Sequence, residues 1–277
     1  LRNGHPNADI LPHKPEKFEE MKIQLKKAKK FIFLEYFIVE KGIMWGEILS
    51  ILKDKVWEGV EVRFMYDGMC SMLQLPYHYD RAMRKHGIKC KMFSPIRPVL
   101  SSYQNNRDHR KIMVIDGKIA YSGGVNLADE YINEIQKFGR WKDIGFRITG
   151  EAVNSYTYMF AEFWNAFSYD KISKDIFEVK EKVENTQDNG YILSYYDSPM
   201  CEEHASNVLF TEVLSQATDY VWFYTPYLIL GDVLFDAFIR AAKRGVDVRI
   251  IMPGIPDKRN TLFCFIYEFS SLKCVLK

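Results

Sequence analysis

No uninterrupted apolar run in the 277-residue sequence reaches the ~18 residues that a membrane-spanning helix needs. The strongest candidate, Phe31 to Val39, is too short and carries Glu35. Charge of one sign is also missing. The 38 Lys and Arg stand against 36 Asp and Glu, and a net charge of +2 provides no global pull toward nucleic acid, so no nucleic-acid partner is expected. The five cysteines (Cys70, Cys90, Cys201, Cys264 and Cys274) form no C-x-x-C pair and no His/Cys cluster of zinc spacing. They read as reduced thiols that fill space, and neither a metal nor any other cofactor is implied. No signal peptide is visible. The chain opens Leu1-Arg2-Asn3-Gly4, polar and without an initiator Met, which reads as a fragment or a processed chain.

With 47% hydrophobic and 27% charged residues, the composition is that of a folded protein, long enough for one large or two moderate domains. Aromatic residues, at 15%, are abundant, and such rings suit both a core and a lipid-headgroup boundary. A repeat organises the chain. Residues 28–35 (AKKFIFLE) lead through a helical stretch to 59–63 (GVEVR), and residues 217–224 (ATDYVWFY) lead likewise to 245–249 (GVDVR). Each copy reads as helix, buried strand, helix, strand, with Gly59 or Gly245 stopping the second helix. The later helix, from Val233 to Lys243, places Leu234, Phe235, Phe238, Ile239 and Ala242 on one face. Strands alternating with helices predict an α/β sandwich, a mixed sheet flanked by helices.

The richest stretch is Asp108-His109-Arg110-Lys111-Ile112-Met113-Val114-Ile115-Asp116, which spaces His109, Lys111 and Asp116 as H-x-K-x-x-x-x-D. On a strand, positions two apart share a face, so His109 and Lys111 point the same way and Arg110 the other. A turn is expected at Asp116-Gly117. A neutral imidazole beside an ammonium suits attack on phosphorus: the ring is the nucleophile and the lysine holds a phosphate oxygen. Asn126 follows Gly123-Gly124, glycines that would let backbone approach a ligand, and its amide can donate to a phosphoryl oxygen. Arg107 can fork a phosphate. Glu35, in a nearly all-apolar strand, is costly unless paired or functional, and either a substrate-binding role or a place at the strand's exposed end fits it. Asp116, at a corner, fits a catalytic role and a loop-stabilising one equally. Lys26, Lys27, Lys29 and Lys30 read as the solvated face and last turn of a helix.

These motifs resemble the phospholipase D superfamily, whose signature is H-x-K-x-x-x-x-D followed by G-G/S-x-N. Within it the chain is most similar to bacterial cardiolipin synthases, through residues 33–38 (FLEYFI), 105–112 (NNRDHRKI), 123–133 (GGVNLADEYIN), 138–143 (FGRWKD), 224–229 (YTPYLI) and 244–249 (RGVDVR). The resemblance implies tandem phospholipase D-like domains. The expected organisation is an N-terminal extension over 1–15, a first domain over 16–180, and the first part of a second domain over 181–277. It further implies two motifs facing each other, one histidine forming a phosphohistidine and the other serving as acid and base. His109 lies 46 residues beyond Arg63, and the same offset from Arg249 falls near position 295, past Lys277. A second motif half or a homodimer partner is therefore expected to complete the site. The resemblance also offers a carboxylate to orient His109, with Asp129, Glu130 and Asp143 as candidates. It implies phosphatidylglycerol as substrate and a membrane surface as partner. The bacterial cell membrane is the implied location, with a cytoplasmic catalytic part and spanning helices ahead of it.

Overall fold

A computed structural model of the chain describes residues 7–11, 15–69, 71, 74–95, 107–137, 139–166, 168–173, 175, 192–198, 204–226 and 228–252. Cys70, Cys201, Cys264, Cys274, Asn105, Asn106, Phe138 and Tyr227 lie outside them. The chain divides into two compact units, Leu1–Ser194 and Tyr195–Lys277.

The first unit holds strands β1 (Asn7–Leu11), β2 (Phe31–Tyr36), β3 (Glu61–Asp67), β4 (Lys89–Phe93), β5 (Lys111–Ile115), β6 (Ile119–Gly123) and β7 (Gly145–Thr149). Helices α1 (Pro15–Lys27), α2 (Ile43–Trp57), α3 (Tyr79–Lys85) and α4 (Val153–Ala166) accompany them. The seven strands form one mixed sheet in the order β1-β7-β6-β5-β2-β3-β4. β2, β3 and β4 run parallel, whereas β5 pairs antiparallel with β2 and opens a meander through β6 and β7. Residues 7–11 of the expected extension supply the edge strand β1, antiparallel to β7.

All six residues of β2 are buried because helices cover both faces of the sheet. On one face Ile32, Leu34 and Tyr36 join Met113, Ile115, Phe64 and the inner sides of α1 (Met21, Leu25) and α2 (Trp45, Ile48, Leu52). On the other, α4 lays Phe160 against Phe33, ring centroids 4.8 Å apart, and Trp164 beneath the Arg63 guanidinium. β5 and β6 join through a tight turn in which Asp116 (φ 54°) and Gly117 (φ 68°) both take the left-handed conformation favoured by hairpins.

The second unit contains α5 (Ala205–Gln216), β8 (Tyr220–Tyr224), α6 (Asp232–Lys243) and β9 (Asp247–Ile251), with β8 and β9 parallel. Its register repeats that of the first unit: Trp222 stands opposite Arg249 as Phe33 stands opposite Arg63. The buried stripe of α6 is Leu234, Ala237, Phe238 and Ala241. Phe235, Ile239 and Ala242, expected on that face, are half-buried along its flank, because a 3.6-residue period centres the stripe on positions i, i+3, i+4 and i+7. Among the described residues no helix is long and apolar enough to cross a membrane.

Candidate active site

The H-x-K motif sits where β5 begins, beside the C-terminal ends of the parallel strands β2 and β3. His109 is exposed just ahead of β5, while Lys111, the first residue of the strand, is only 5% exposed. Their side chains meet as the shared face requires: Lys111 Nζ lies 3.2 Å from His109 Nδ1 and donates to the His109 carbonyl oxygen at 2.6 Å. An ammonium can only donate, so in this arrangement Nδ1 is the acceptor. Phe37, one residue past β2, packs its ring on the imidazole with centroids 4.5 Å apart and lies 5.1 Å from Lys111 Nζ, a cation–π distance. A buried ammonium, an accessible imidazole and an aromatic wall together suit an anionic phosphate ester arriving from solvent.

Two acids absent from the expected set hold the backbone leading into this pair. Asp67, fully buried at the end of β3, accepts from the Asp108 amide (Oδ2, 3.0 Å) and the Met69 amide (Oδ1, 2.9 Å), with Arg107 Nη1 at 3.4 Å from Oδ1. Arg107 also donates to the Ser94 carbonyl (3.1 Å) and hydroxyl (2.8 Å), so this guanidinium, expected on substrate, ties the ends of β3 and β4 to the approach of β5. The second acid is Asp108 itself, buried beside Glu35 and Arg110. An Asp-Gly pair closing a buried apolar run, as at Asp67-Gly68, was the available signal in the sequence.

Glu35 is completely buried, and neither the exposed strand end nor a place beside Lys111 is where it lies. It stands opposite Ile112, one residue out of phase with Tyr36 and Lys111, and so faces the α4 side of the sheet. There Arg110 Nε approaches Glu35 Oε1 at 2.6 Å, and the Arg110 guanidinium lies 3.8 Å from the centre of the Phe163 ring. Arg110 does point away from His109. Burial, and then the neighbouring Asp108 charge, push the Glu35 carboxyl well above the ordinary carboxylate range. Burial likewise raises Asp108, against the opposing pull of Arg110.

Asp116 closes the far end of β5 from the motif. Its Oδ1 accepts from the amides of Lys30 (2.7 Å) and Phe31 (2.9 Å), and its Oδ2 from that of Lys29 (2.8 Å). This carboxylate staples the start of β2 to the β5–β6 turn. Asn126 is buried with both ends engaged: Oδ1 accepts from the Ile38 amide (3.0 Å) and Nδ2 donates to the Tyr131 hydroxyl (2.8 Å), fixing the chain directly after Phe37. The glycines before it lie where neighbouring protein leaves no room for a Cβ. A Cβ at Gly123 would stand 2.3 Å from the Ile144 carbonyl oxygen, and one at Gly124 would stand 2.1 Å from Asp143 Oδ1.

Of the carboxylates considered for orienting His109, Asp129 accepts from the Ile43 and Met44 amides, both at 2.9 Å, and caps α2. Asp143 accepts from the Trp141 indole at 3.2 Å and from its neighbour Ile144 at 2.7 Å. Glu130 lies 3.7 Å from Lys137 Nζ, and burial raises its carboxyl above the ordinary range despite that lysine. Among the described residues no group of three or more His, Cys, Asp or Glu could hold a metal.

A family model described as cardiolipin synthase, PLD-like domain, matches residues 21–164 and 210–266. An uncharacterised protein of Streptococcus mutans is 53% identical over 90% of this chain and 54% of its own length. The cardiolipin synthase of Halalkalibacterium halodurans is 34% identical over 91% of this chain and 50% of its own length. The chain thus spans about half the length of these curated relatives. Among solved structures, phosphatidylserine synthase of Haemophilus influenzae superposes with a TM-score of 0.65 at 16% identity, covering 95% of this chain and 67% of that one, a likeness of fold.

Proposed function

The chain belongs to the family of cardiolipin synthase PLD-like domains, and from that premise we propose that it supplies one half of a phosphatidyltransferase site in which His109 is the nucleophile. The observation that carries the reading is the His109–Lys111 pair, an exposed imidazole whose Nδ1 lies 3.2 Å from a buried ammonium. When the phosphodiester of a phosphatidylglycerol arrives, the Lys111 ammonium exchanges the imidazole for a phosphoryl oxygen, which frees a ring nitrogen for attack. A nitrogen–phosphorus bond forms, the phosphorus–oxygen bond to glycerol breaks, and glycerol leaves carrying a proton from a general acid. The hydroxyl of a second phosphatidylglycerol then attacks phosphorus and loses its proton to the same group. The nitrogen–phosphorus bond breaks, and cardiolipin is the product. The acid and base come from a second motif, contributed by another half or another copy, and the reaction takes place at a membrane surface.

Asp116 and Asn126 enter this mechanism through the backbone they hold. Arg107 acts at one remove, by holding β3 and β4 to the residue before Asp108. Incubation with labelled phosphatidylglycerol in mixed micelles, alone and with a complementing second half, tests the assignment by lipid chromatography. Cardiolipin formed with the complement is the expected result. Phosphatidic acid without cardiolipin would instead identify a hydrolase.

A further inference from the structure

His109 stands between two residues whose side chains leave the site altogether. Asp108 and Arg110 both turn toward the α4 side of the sheet and meet Glu35 there. Glu35 and Asp108 are 0% and 2% exposed, so the cluster places two carboxyls and one guanidinium out of water. Arg110 Nε lies 2.6 Å from Glu35 Oε1 and 3.4 Å from Asp108 Oδ1, and Asp108 Oδ1 also accepts from the Arg110 amide at 3.2 Å. Glu35 Oε2 and Asp108 Oδ2 are fully buried and meet no hydrogen-bond donor among the described residues. Two ionised carboxylates interacting here would repel, and each would leave a desolvated oxygen unsatisfied. A single proton held between them removes both penalties and leaves one net negative charge to match Arg110. The repeat offers a contrast: Tyr224 occupies in the second unit the strand position that Glu35 occupies in the first.

We propose that Glu35 and Asp108 share one proton and, with Arg110, form a positioning clamp that sets the backbone from which His109 projects toward its substrate. Glu35 acts through the residues on either side of His109, and Asp67, holding the Asp108 amide, braces the same segment from β3. The α4 side of the cluster is closed by the Phe163 ring beneath Arg110. Only the kinetic arm of the test depends on His109 being the nucleophile.

The intact chain, labelled with ¹³C at carboxyl groups and ¹⁵N at histidine rings, is compared as wild type, Glu35→Gln and Glu35→Leu. In the wild type one carboxyl of the pair is expected to be neutral at pH 7; ordinary titration of both would overturn the proposal without need of any variant. Glutamine still donates to Asp108, so the His109 ring resonances should stay in place in Glu35→Gln. They should shift and broaden in Glu35→Leu, which leaves Asp108 charged with its Oδ2 facing an apolar side chain instead of a donor. Where transfer is measured with the complementing half, Glu35→Leu should lower kcat about tenfold with KM within about twofold, and Glu35→Gln should restore kcat to within about threefold of wild type. Equal disruption by both variants, or none by Glu35→Leu, overturns the clamp. Absence of lipid products from the wild type would instead count against the proposed function and leave the spectroscopic result standing.

Discussion

β2 and β8 occupy the same place in two copies of one α-β-α-β module, yet among the described residues their surroundings differ. The parallel register is shared, and so is the way the second helix stops. Gly59 (φ +85°) and Gly245 (φ +92°) each donate to the carbonyl three residues back, and the following valine donates to the carbonyl five residues back. β2 is buried along its whole length, whereas β8 alternates, with Tyr220, Trp222 and Tyr224 at 63%, 51% and 71% exposure. Phe223 on the inner side packs on Phe238 of α6. The difference lies in what is laid beside the module. In the first unit the β5–β6 hairpin pairs with β2 and α4 closes the second face. At the strand position that Glu35 holds in the first copy the second carries Tyr224. Among the described residues the two copies share the scaffold of strands and glycine stops, and the hairpin and α4 lie beside the first.

The sharpest way to break this comparison is to remove the nucleophile: His109→Ala should abolish formation of a covalent phosphoenzyme and leave the cooperative unfolding of the first unit intact, read by labelling and by urea denaturation. Asp67→Ala deprives two buried or partly buried amides and Arg107 of their acceptor, and should cost about 3 kcal/mol in urea unfolding of the first unit. Asp116→Ala frees three amides at the start of β2, partly exposed, and should cost about 1–2 kcal/mol in the same measurement.

The acid pair yields a pH signature confined to the first unit. A carboxyl whose folded pKa is raised binds more protons in the native than in the unfolded state. Its contribution to stability is therefore fully present below the ordinary carboxylate range and is lost as pH rises through the folded value. For Glu35 the slope should reach about 1.4 kcal/mol per pH unit within that window, and Glu35→Gln should remove it. The smallest effect sharpens the likeness instead. A Cβ at Gly59 or Gly245 meets no atom within 4 Å, so each Gly→Ala change carries only the left-handed backbone penalty, about 1 kcal/mol in both units.

Local pattern made the strands, the helix stops, the Asp116-Gly117 turn and the His109–Lys111 pairing legible in the sequence, because each depends on neighbours a few residues away. The phase of β5 also placed Arg110 on the face opposite His109. The partners of the polar residues were not legible. Asp116 binds amides more than 80 residues earlier in the chain, Glu35 meets Arg110 across a sheet pairing, and Asn126 bonds to Ile38 across two loops. Type and spacing mark such side chains as unusual; only the strand register decides whether they face substrate or core.

Whether His109 is the nucleophile is decided by mass spectrometry of the chain after brief exposure to phosphatidylglycerol, alone and with a complementing second half, in search of an acid-labile phosphorus adduct. The adduct is expected on His109 in the wild type and absent in His109→Ala. An adduct on another residue, or one that persists in His109→Ala, would contradict that assignment.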